Sequence, residues 1–407
     1  MAREQILVAL EIGTAKVVVV VGAASPDAPL RILGVGQAPS CDVRKGEIVS
    51  FENIGKCVRE AVADAEEKSD VTIESVFVGV TGAHIQSFNN RGRIDLPEER
   101  DEIDEGDCED VAVSARDVTI PHQNAFLHTI LQHYYVDDQP GVVNPIGMLG
   151  RKLEAVYHII HGVGNRIRNT VRCVMEAGIK VDDVVFSGYA AAQAVLTQQQ
   201  KDLGAMVLDI GAGTVDYIVY VEGAVKHSGV LAVGGDHITQ DVSIGLRIPM
   251  LKAERLKVEE GHAMLGIARP GETIVLKDET GFAGREIELE TLNTIIHCRL
   301  REMFELILRT MEGESHLHRL GAGIVLTGGG SQMRGIAPLA QEVFGVPAHL
   351  AHAKSTSGLV AAAENPQLST AIGLLRYGQA LYAYRPKRGG FFQRLRNIFG
   401  WMIGLFG

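Results

Sequence analysis

The chain has 407 residues, of which 46% are hydrophobic and 22% charged, a composition typical of folded globular domains and not of disordered or collagen-like chains. The formal net charge of -11 at pH 7 excludes a general nucleic-acid-binding protein, because such proteins carry a basic surface. Five scattered cysteines without CxxC or CxxH spacing speak against a zinc site and against a disulfide framework.

The first predicted element is a pair of buried strands joined by a short polar turn. An apolar run over 6–10 is followed by Glu-Ile-Gly-Thr-Ala-Lys at 11–16 and by a second apolar run over 17–21. Short apolar runs bounded by glycine indicate buried strands. Apolar residues at helical spacing then predict an amphipathic helix over 54–67.

The middle of the chain contains a predicted insertion and a repeat of the first motif. Residues 84–162 differ in residue composition from the segments on either side and include an acidic stretch. They are therefore interpreted as a module inserted into the first half. The order Leu-acid-Ile-Gly, first seen at Leu10, recurs at Leu208, again between two apolar runs. Strands mixed with helices in both halves predict an α/β architecture with two similar lobes.

The last part of the chain contains a second insertion, a glycine-rich segment and an amphipathic tail. Residues 243–303 form the candidate insertion, 292–311 a helix, and 324–326 a strand that runs into Gly328, Gly329 and Gly330. No acid follows Glu364, whereas six basic residues do. Apolar and basic residues in the tail predict an interfacial helix on an anionic membrane surface, formed by Phe391, Phe392, Arg394, Leu395, Arg396, Ile398, Phe399, Trp401, Met402, Ile403, Leu405 and Phe406.

The two repeated turns have the chemistry of phosphate sites. Glycines let backbone N–H groups approach phosphate oxygens, and threonine adds a hydroxyl donor. The predicted phosphate contacts are Gly13, Thr14, Ala15 and Lys16 in the first turn, and Gly211, Ala212, Gly213 and Thr214 in the second. Glu11 and Asp209 end the preceding strands and are candidates to hold Mg²⁺ through water.

Together, these two turns and the segment Ile324–Met333 resemble the phosphate-1, phosphate-2 and adenosine motifs of the actin, hexokinase and heat-shock-chaperone ATPase superfamily. More narrowly, the chain from Leu7 onward resembles the FtsA family of bacterial cell-division proteins. The resemblance is carried by LEIGTAKV at 10–17, AGIVLTGG at 322–329 and STAIGLLRYG at 369–378.

The resemblance implies an actin-like two-lobed ATPase fold with RNase-H-like lobes and an inserted subdomain. The implied division is 1–83, 163–195 and 356–384 for subdomain 1A, 84–162 for the FtsA-type insertion 1C, 196–242 and 304–355 for 2A, 243–303 for 2B, 385–390 for a linker and 391–407 for the membrane-targeting helix.

The resemblance also implies ATP or ADP with Mg²⁺ in the cleft and weak ATPase activity. Asp209 would face the metal, while Glu11 departs from the aspartate that is usual in the superfamily. Gln193 would position the attacking water. The remaining implied nucleotide contacts are Gly234, Gly235, Glu254, Lys257, Gly328, Gly329, Gly330 and Gln332.

The implied function is to tether FtsZ to the cytoplasmic face of the inner membrane at the division septum. The FtsZ C-terminal peptide would bind subdomain 2B at Arg299, with Arg285 as a further candidate. The chain would also form actin-like filaments and recruit other division proteins through 1C. Two alternatives remain open, a PilM-type pilus-assembly ATP-binding protein and a sugar or metabolite kinase of the same superfamily.

Overall fold

The computed structural model describes residues 4–25, 28–276, 284–311, 316–354 and 356–383. The predicted linker over 385–390 and the predicted amphipathic helix over 391–407 lie outside these residues. Within the described ranges, no helix combines the length and the apolar character that a bilayer crossing requires.

The strands are numbered in chain order. They are β1 (Gln5–Ile12), β2 (Lys16–Ser25), β3 (Ala28–Pro39), β4 (Val43–Arg44), β5 (Glu47–Ile48), β6 (Ser75–Val80), β7 (Gln86–Asp95), β8 (Asn124–Val136), β9 (Gln139–Val142), β10 (Lys152–Val163), β11 (Lys180–Phe186), β12 (Ala205–Ile210), β13 (Val215–Val221), β14 (Ala224–Leu231), β15 (Thr273–Leu276), β16 (Arg285–Glu288), β17 (Ile324–Thr327), β18 (Ala348–Leu350) and β19 (Thr356–Gly358).

The helices are numbered in the same way, and three short 3₁₀ turns accompany them. The α-helices are α1 (Phe51–Ser69), α2 (Glu105–Arg116), α3 (Gly164–Glu176), α4 (Ser187–Val195), α5 (Gln198–Leu203), α6 (Gly235–Leu246), α7 (Met250–Glu259), α8 (Leu289–Thr310), α9 (Ile336–Phe344), α10 (Val360–Ala363) and α11 (Ser369–Ala383). The 3₁₀ turns are Leu317–Arg319, Gly329–Gln332 and Pro366–Leu368.

Two sheets of the same design form the two lobes. The first-lobe sheet has the order β11-β6-β1-β2-β3-β19, and the second-lobe sheet has the order β14-β13-β12-β17-β18. In each, three antiparallel strands form a meander, one parallel strand pairs with its first strand, and a second parallel strand pairs with that one. In the first lobe, β19 also adds in parallel to β3. The repeated Leu-acid-Ile-Gly motif therefore marks a repeated topology, because it ends the first strand of each meander.

The inserted module forms a separate sheet. Strands β7, β10, β8 and β9 make a four-stranded antiparallel sheet, and α2 packs against it with a core of its own. Asp104 caps the start of α2: its side chain accepts from the backbone N–H of Asp107, and the side chain of Asp107 accepts from the backbone N–H of Asp104. This capping box satisfies two of the donors that a helix start leaves unpaired.

Residues 243–303 do not have a separate core. Buried side chains from α6, α7 and α8 join those of β12 and β13 in one continuous cluster. The division expected at 303/304 falls within α8, a single helix whose buried face continues from Leu292 to Ile307. The sequence could not locate this boundary because the apolar periodicity of α8 is uninterrupted.

Helices α4 and α11 lie side by side and fill the space between the two lobe sheets. Their buried residues share a cluster with Leu7 and Val18 of the first lobe and with Val207 and Ile218 of the second. A Cβ placed on Gly373 would lie 1.8 Å from the backbone oxygen of Ala190. Only glycine therefore permits the observed approach of the two helices.

Candidate nucleotide site

A cavity of about 330 Å³ opens between the two lobes at the ends of the repeated hairpins. It brings together most of the predicted site residues. Those lining it are Glu11, Gly13, Thr14, Ala15, Lys16, Asp209, Gly211, Ala212, Gly213, Thr214, Gly235, Glu254, Lys257, Gly328, Gly329, Gly330 and Gln332.

The two hairpin turns are closed by equivalent backbone hydrogen bonds. The N–H of Gly13 donates to the carbonyl of Lys16 at 2.9 Å, and the N–H of Gly211 donates to the carbonyl of Thr214 at the same distance. The turns also face each other closely, because a Cβ on Gly213 would lie 2.2 Å from Oγ1 of Thr14. A ligand in the cavity would therefore be in reach of backbone donors from both lobes.

Three buried carboxyl groups line the cavity behind these turns. Asp209 and Asp216 are register partners in the second hairpin, and Glu11 ends β1 of the first. Burial and the charge of Asp209 raise the pKa of Glu11 to about 8, although Lys16 opposes the shift. Burial raises the pKa of Asp209 to about 6 and that of Asp216 well above its ordinary value. The cavity therefore disfavours ionisation of these carboxyl groups, a cost that a bound cation would relieve.

Hydrogen bonds satisfy some oxygens of these three carboxyl groups and leave one oxygen without a partner among the described residues. Thr370 donates to Oδ2 of Asp209 at 2.5 Å, and Thr81 donates to Asp216. Oε2 of Glu11 is buried and has no hydrogen-bond partner among the described residues. An unsatisfied buried carboxyl oxygen is costly, so it fits a site that a hydrated cation occupies.

Lys16 provides positive charge beside the carboxyl groups. Its Nζ donates to Oε1 of Gln367 at 2.6 Å, so the side chain is held across the cavity by the turn that precedes α11. Burial lowers the pKa of Lys16, while Glu11 and Asp209 oppose that shift. A phosphate bound beside Lys16 would stabilise its charged ammonium form, which burial disfavours.

The second lobe adds a hydrogen-bonded group on α6 and α7. Nζ of Lys257 donates to Glu254 at 2.7 Å, to Thr239 at 2.9 Å and to the backbone oxygen of Gly235 at 3.2 Å. Gly234 is not in the cavity wall but supports it, because its Cβ would lie 2.6 Å from the carbonyl oxygens of Gly211 and Ala212. The start of α6 is thereby packed against the second turn.

The segment 328–330 closes the cavity from a third side. Gly328 has φ +83°, and a Cβ there would lie 2.2 Å from Oδ1 of Asp209. A Cβ on Gly330 would lie 2.4 Å from Cγ2 of Ile210. These glycines allow the backbone to lie flat against the end of β12, where a ring or sugar can stack on it.

Sequence reasoning missed several residues of this wall. Thr81, Ser187, Asp216, Gln367 and Thr370 all line the cavity. The sequence pattern could have identified Asp216 as a site residue, because it follows the second turn as the first acid of β13. The other four lie in segments far from the turns; Thr370 falls within the quoted motif at 369–378, but no pattern pointed to a role for it in the site.

The structure places Gln193 away from this cavity, which corrects its predicted water-positioning role. The side-chain oxygen of Gln193 accepts from Lys201 at 2.8 Å, and the residue lines a second cavity. The reason is the direction of α4, whose first residue, Ser187, lies in the interlobe cavity while Gln193 lies near its other end.

The two arginines predicted for partner binding lie in the second lobe. Arg299 on α8 binds Asp241 on α6 through Nε at 2.5 Å and also pairs with Glu302. Arg285 on β16 donates to the backbone oxygen of Arg247 at 3.4 Å. The predicted membrane-contacting residues of the tail lie outside the described residues.

Metal binding by the protein alone is not supported by the side-chain arrangement. Among the residues that the structure describes, no group of three or more His, Cys, Asp or Glu side chains could hold a metal ion. The unpartnered Glu11 oxygen and the neighbouring Asp209 instead fit a cation that takes its other ligands from water and from a bound anion.

Comparison with known proteins gives the family. The model of cell division protein FtsA matches residues 206–373, and the model of the SHS2 domain inserted in FtsA matches residues 82–161. Cell division protein FtsA of Pseudomonas aeruginosa is 37% identical over 92% of this chain and 89% of its own length. The protein of the same name from Escherichia coli K12 is 37% identical over 92% of this chain and 90% of its own length.

Solved structures give the fold. A PilM–PilN type IV pilus biogenesis complex aligns with TM-score 0.63 at 15% identity, covering 93% of this chain and 99% of that chain. MreB5 of Spiroplasma citri bound to ADP aligns with TM-score 0.56 at 13% identity, covering 95% of this chain and 99% of that chain. The predicted actin-like α/β fold with an inserted module is confirmed, and with the sequence relatives above, the chain belongs to the FtsA family of cell-division proteins.

Proposed function

We propose that the interlobe cavity binds ATP or ADP. The observation that carries this proposal is the pair of equivalent turns, one from each lobe, which meet where Gly213 faces Thr14. Backbone donors of both turns and the ammonium of Lys16 would hold the phosphates. The glycine segment 328–330 would support the adenosine, and Glu254 with Lys257 would flank the ribose and base. MreB5, which shares the fold, has been solved with ADP.

Mg²⁺ would be held in the same cavity through water. Glu11 and Asp209 would accept hydrogen bonds from the metal-bound waters, and the nucleotide phosphates would supply direct ligands. The metal would neutralise phosphate charge, while this chain's residues would position the nucleotide and exclude bulk water. Any ATP turnover is expected to be slow, because Gln193 does not reach the cavity.

The nucleotide proposal is tested by titrating the protein with a fluorescent ATP analogue, with and without Mg²⁺. Lys16→Gln is expected to weaken binding at least about tenfold, because it removes the cation beside the phosphates. Lys180→Gln is the matched control, since Lys180 is exposed on β11 outside the cavity. Equal affinity of both variants and the unaltered chain would contradict the proposed phosphate site.

Within its division role, we further propose that the chain tethers FtsZ to the inner face of the cytoplasmic membrane at the septum. The basic, aromatic-rich sequence over 391–407 would lie in the membrane interface. Filaments of the chain and recruitment of other division proteins through residues 84–162 would complete the role. The support is the family membership together with the charge pattern of the tail.

The FtsZ C-terminal peptide is proposed to bind at the α6–α8 face of the second lobe. Arg299 lies there beside Asp241, and one turn along α6 from Asp241, Ile244 is 66% exposed. A cation next to exposed apolar surface fits a short peptide with acidic and apolar side chains. Arg285, on the neighbouring strand β16, would add a second cation.

Co-sedimentation tests the tether. The full chain and a 1–385 truncation are mixed with anionic liposomes, with and without FtsZ and ATP. The full chain is expected to carry FtsZ to the liposomes, and the truncation is not. Unchanged membrane association of the truncation would contradict a tether through residues 391–407, and ATP-dependent phosphorylation of a small molecule would reveal a kinase activity that the tether role does not require.

A further inference from the structure

A second cavity lies at the far end of α4 from the nucleotide site. It measures about 350 Å³ and is open to solvent. Its walls are the start of β3, the side chains of Gln193 and Arg376, and the last turns of α11 as far as Ala383. The cavity wall therefore includes Ala383, the last residue that the structure describes, which precedes Arg385 by two positions in the sequence.

One half-buried cation, Arg376, lines this cavity, and two more, Lys201 and Lys354, lie near it on other segments without lining it. Arg376 on α11 donates through Nη1 to the backbone oxygen of Gln193 at 2.9 Å. Lys201 on α5 donates to the side-chain oxygen of Gln193 at 2.8 Å, and Lys354, after β18, donates to Gln200 at 2.6 Å. All hydrogen-bond acceptors in this cluster are neutral oxygens.

The cations repel one another, and among the described residues no carboxylate forms an ion pair with any of them. Burial lowers the pKa of Lys201 to about 8, and the charge of Arg376 contributes to that shift. Burial and the same arginine lower the pKa of Lys354. Asp202 acts on Lys201 in the opposite direction, but among the described residues it forms no ion pair with any of the three.

One donor of the cluster has no partner. Nη2 of Arg376 is buried and makes no hydrogen bond with any residue that the structure describes. The position of Nη1 is accounted for by its hydrogen bond to a carbonyl at the C-terminal end of α4, because cations commonly cap a helix end. That hydrogen bond does not account for Nη2, whose geometry beside Nη1 is suited to an oxyanion.

We propose that this cavity is a binding site for a phosphate-bearing anion. Arg376, the cation that lines the cavity, would bind its oxygens through the guanidinium, and the neighbouring Lys201 and Lys354 would balance the charge. The apolar walls formed by Pro29, Leu30 and Ala380 leave room for a small organic group next to the phosphate. A lipid headgroup and free phosphate share this chemistry, and only the headgroup source rests on the proposed membrane role.

The site is tested first with inorganic phosphate, titrated calorimetrically into the full chain. The double variant Lys201→Gln/Lys354→Gln is expected to bind phosphate at this site at least about tenfold more weakly, while binding in the nucleotide cavity persists. The control Lys56→Gln/Lys180→Gln makes the same charge change at exposed positions and is expected to behave as the unaltered chain. Identical titrations of all three proteins would overturn the proposal.

Arg376→Lys provides a second variant that keeps the charge. It is expected to weaken phosphate binding because an ammonium cannot reproduce the paired donors of a guanidinium. Melting curves of each variant without phosphate separate a loss of binding from a loss of folding. Undiminished phosphate affinity of a folded Arg376→Lys protein would also count against the proposal.

Vesicles then distinguish the two sources. If the double variant sediments less than its control with phosphatidylglycerol vesicles, the ligand is a lipid headgroup. If the two sediment equally but the double variant binds inorganic phosphate more weakly, the ligand is free phosphate. Phosphatidylcholine vesicles are expected to show no difference. If the full chain fails to bind vesicles while phosphate binding depends on the two lysines, the tether proposal fails and the anion site stands.

Discussion

Substitution of Glu11 by Gln is expected to stabilise the ligand-free protein at alkaline pH while weakening its binding of Mg²⁺ and nucleotide. The carboxyl is buried, has one oxygen without a partner, and lies near Asp209. Gln has nearly the same shape but carries no charge. The substitution therefore removes the cost of ionising this position and also removes the proposed partner of the hydrated cation.

The magnitude follows from the shifted pKa. Burial raises the pKa of Glu11 from its ordinary value of 4.5 to about 8. Because the folded state holds the proton more tightly than the unfolded chain, the stabilisation is complete below pH 4.5 and is lost as the pH rises toward 8. At roughly 1.4 kcal/mol per pH unit, the loss across this window amounts to about 5 kcal/mol.

The assay is urea unfolding of both proteins without nucleotide, at several pH values from 5 to 8.5. Near pH 5 the two free energies of unfolding are expected to agree within about 1 kcal/mol, since the carboxyl is protonated in the fold. Near pH 8 the variant is expected to be more stable by roughly 4 kcal/mol. A difference that does not change with pH would refute the assignment of a raised pKa to Glu11.

Three further predictions follow from close contacts. Gly373→Ala is expected to lower the free energy of unfolding by roughly 3 kcal/mol or more, because the new methyl would force α4 and α11 apart. The control is Gly55→Ala on α1, whose added Cβ would have no neighbour closer than 3.6 Å. In urea unfolding it is expected to be neutral or stabilising. Gly213→Ala is expected to weaken ATP-analogue binding at least about a hundredfold, since its Cβ would collide with the first turn. Retained affinity would contradict the proposal that the two turns together bind the phosphates. Arg299→Ala is expected to weaken binding of the FtsZ C-terminal peptide about tenfold in fluorescence anisotropy, whereas Arg301→Ala, on the same helix and likewise paired with carboxylates, is expected to have no effect.

The sequence was sufficient wherever the chemistry is local. Each glycine turn closes through a hydrogen bond between residues three positions apart, so its glycine and threonine lie close together in the chain. The repetition of that turn after a buried strand predicted two lobes of one design, and the sheets have that design. The helix predicted over 54–67 forms within α1, because one apolar face defines it.

The sequence also misled in one place. Gln193 lies in an alanine-rich helix, and the family resemblance assigned it to positioning water in the cleft. The direction of α4 depends on how it packs between the two sheets and against α11, and this packing turns Ser187 toward the nucleotide cavity. A short helix with alanine on nearly every face carries no periodicity from which that direction could be inferred.

The sequence by itself thus determined the family, the repeated lobes and the glycine turns, because each is encoded in adjacent residues. Only the tertiary structure decided which side chains complete the cavity. Thr81 reaches Asp216 across 135 positions, Thr370 reaches Asp209 across 161, and Lys16 reaches Gln367 across 351. The physical reason is that burial sets the charge state of the carboxyl groups, and burial arises only when segments distant in the chain close around them.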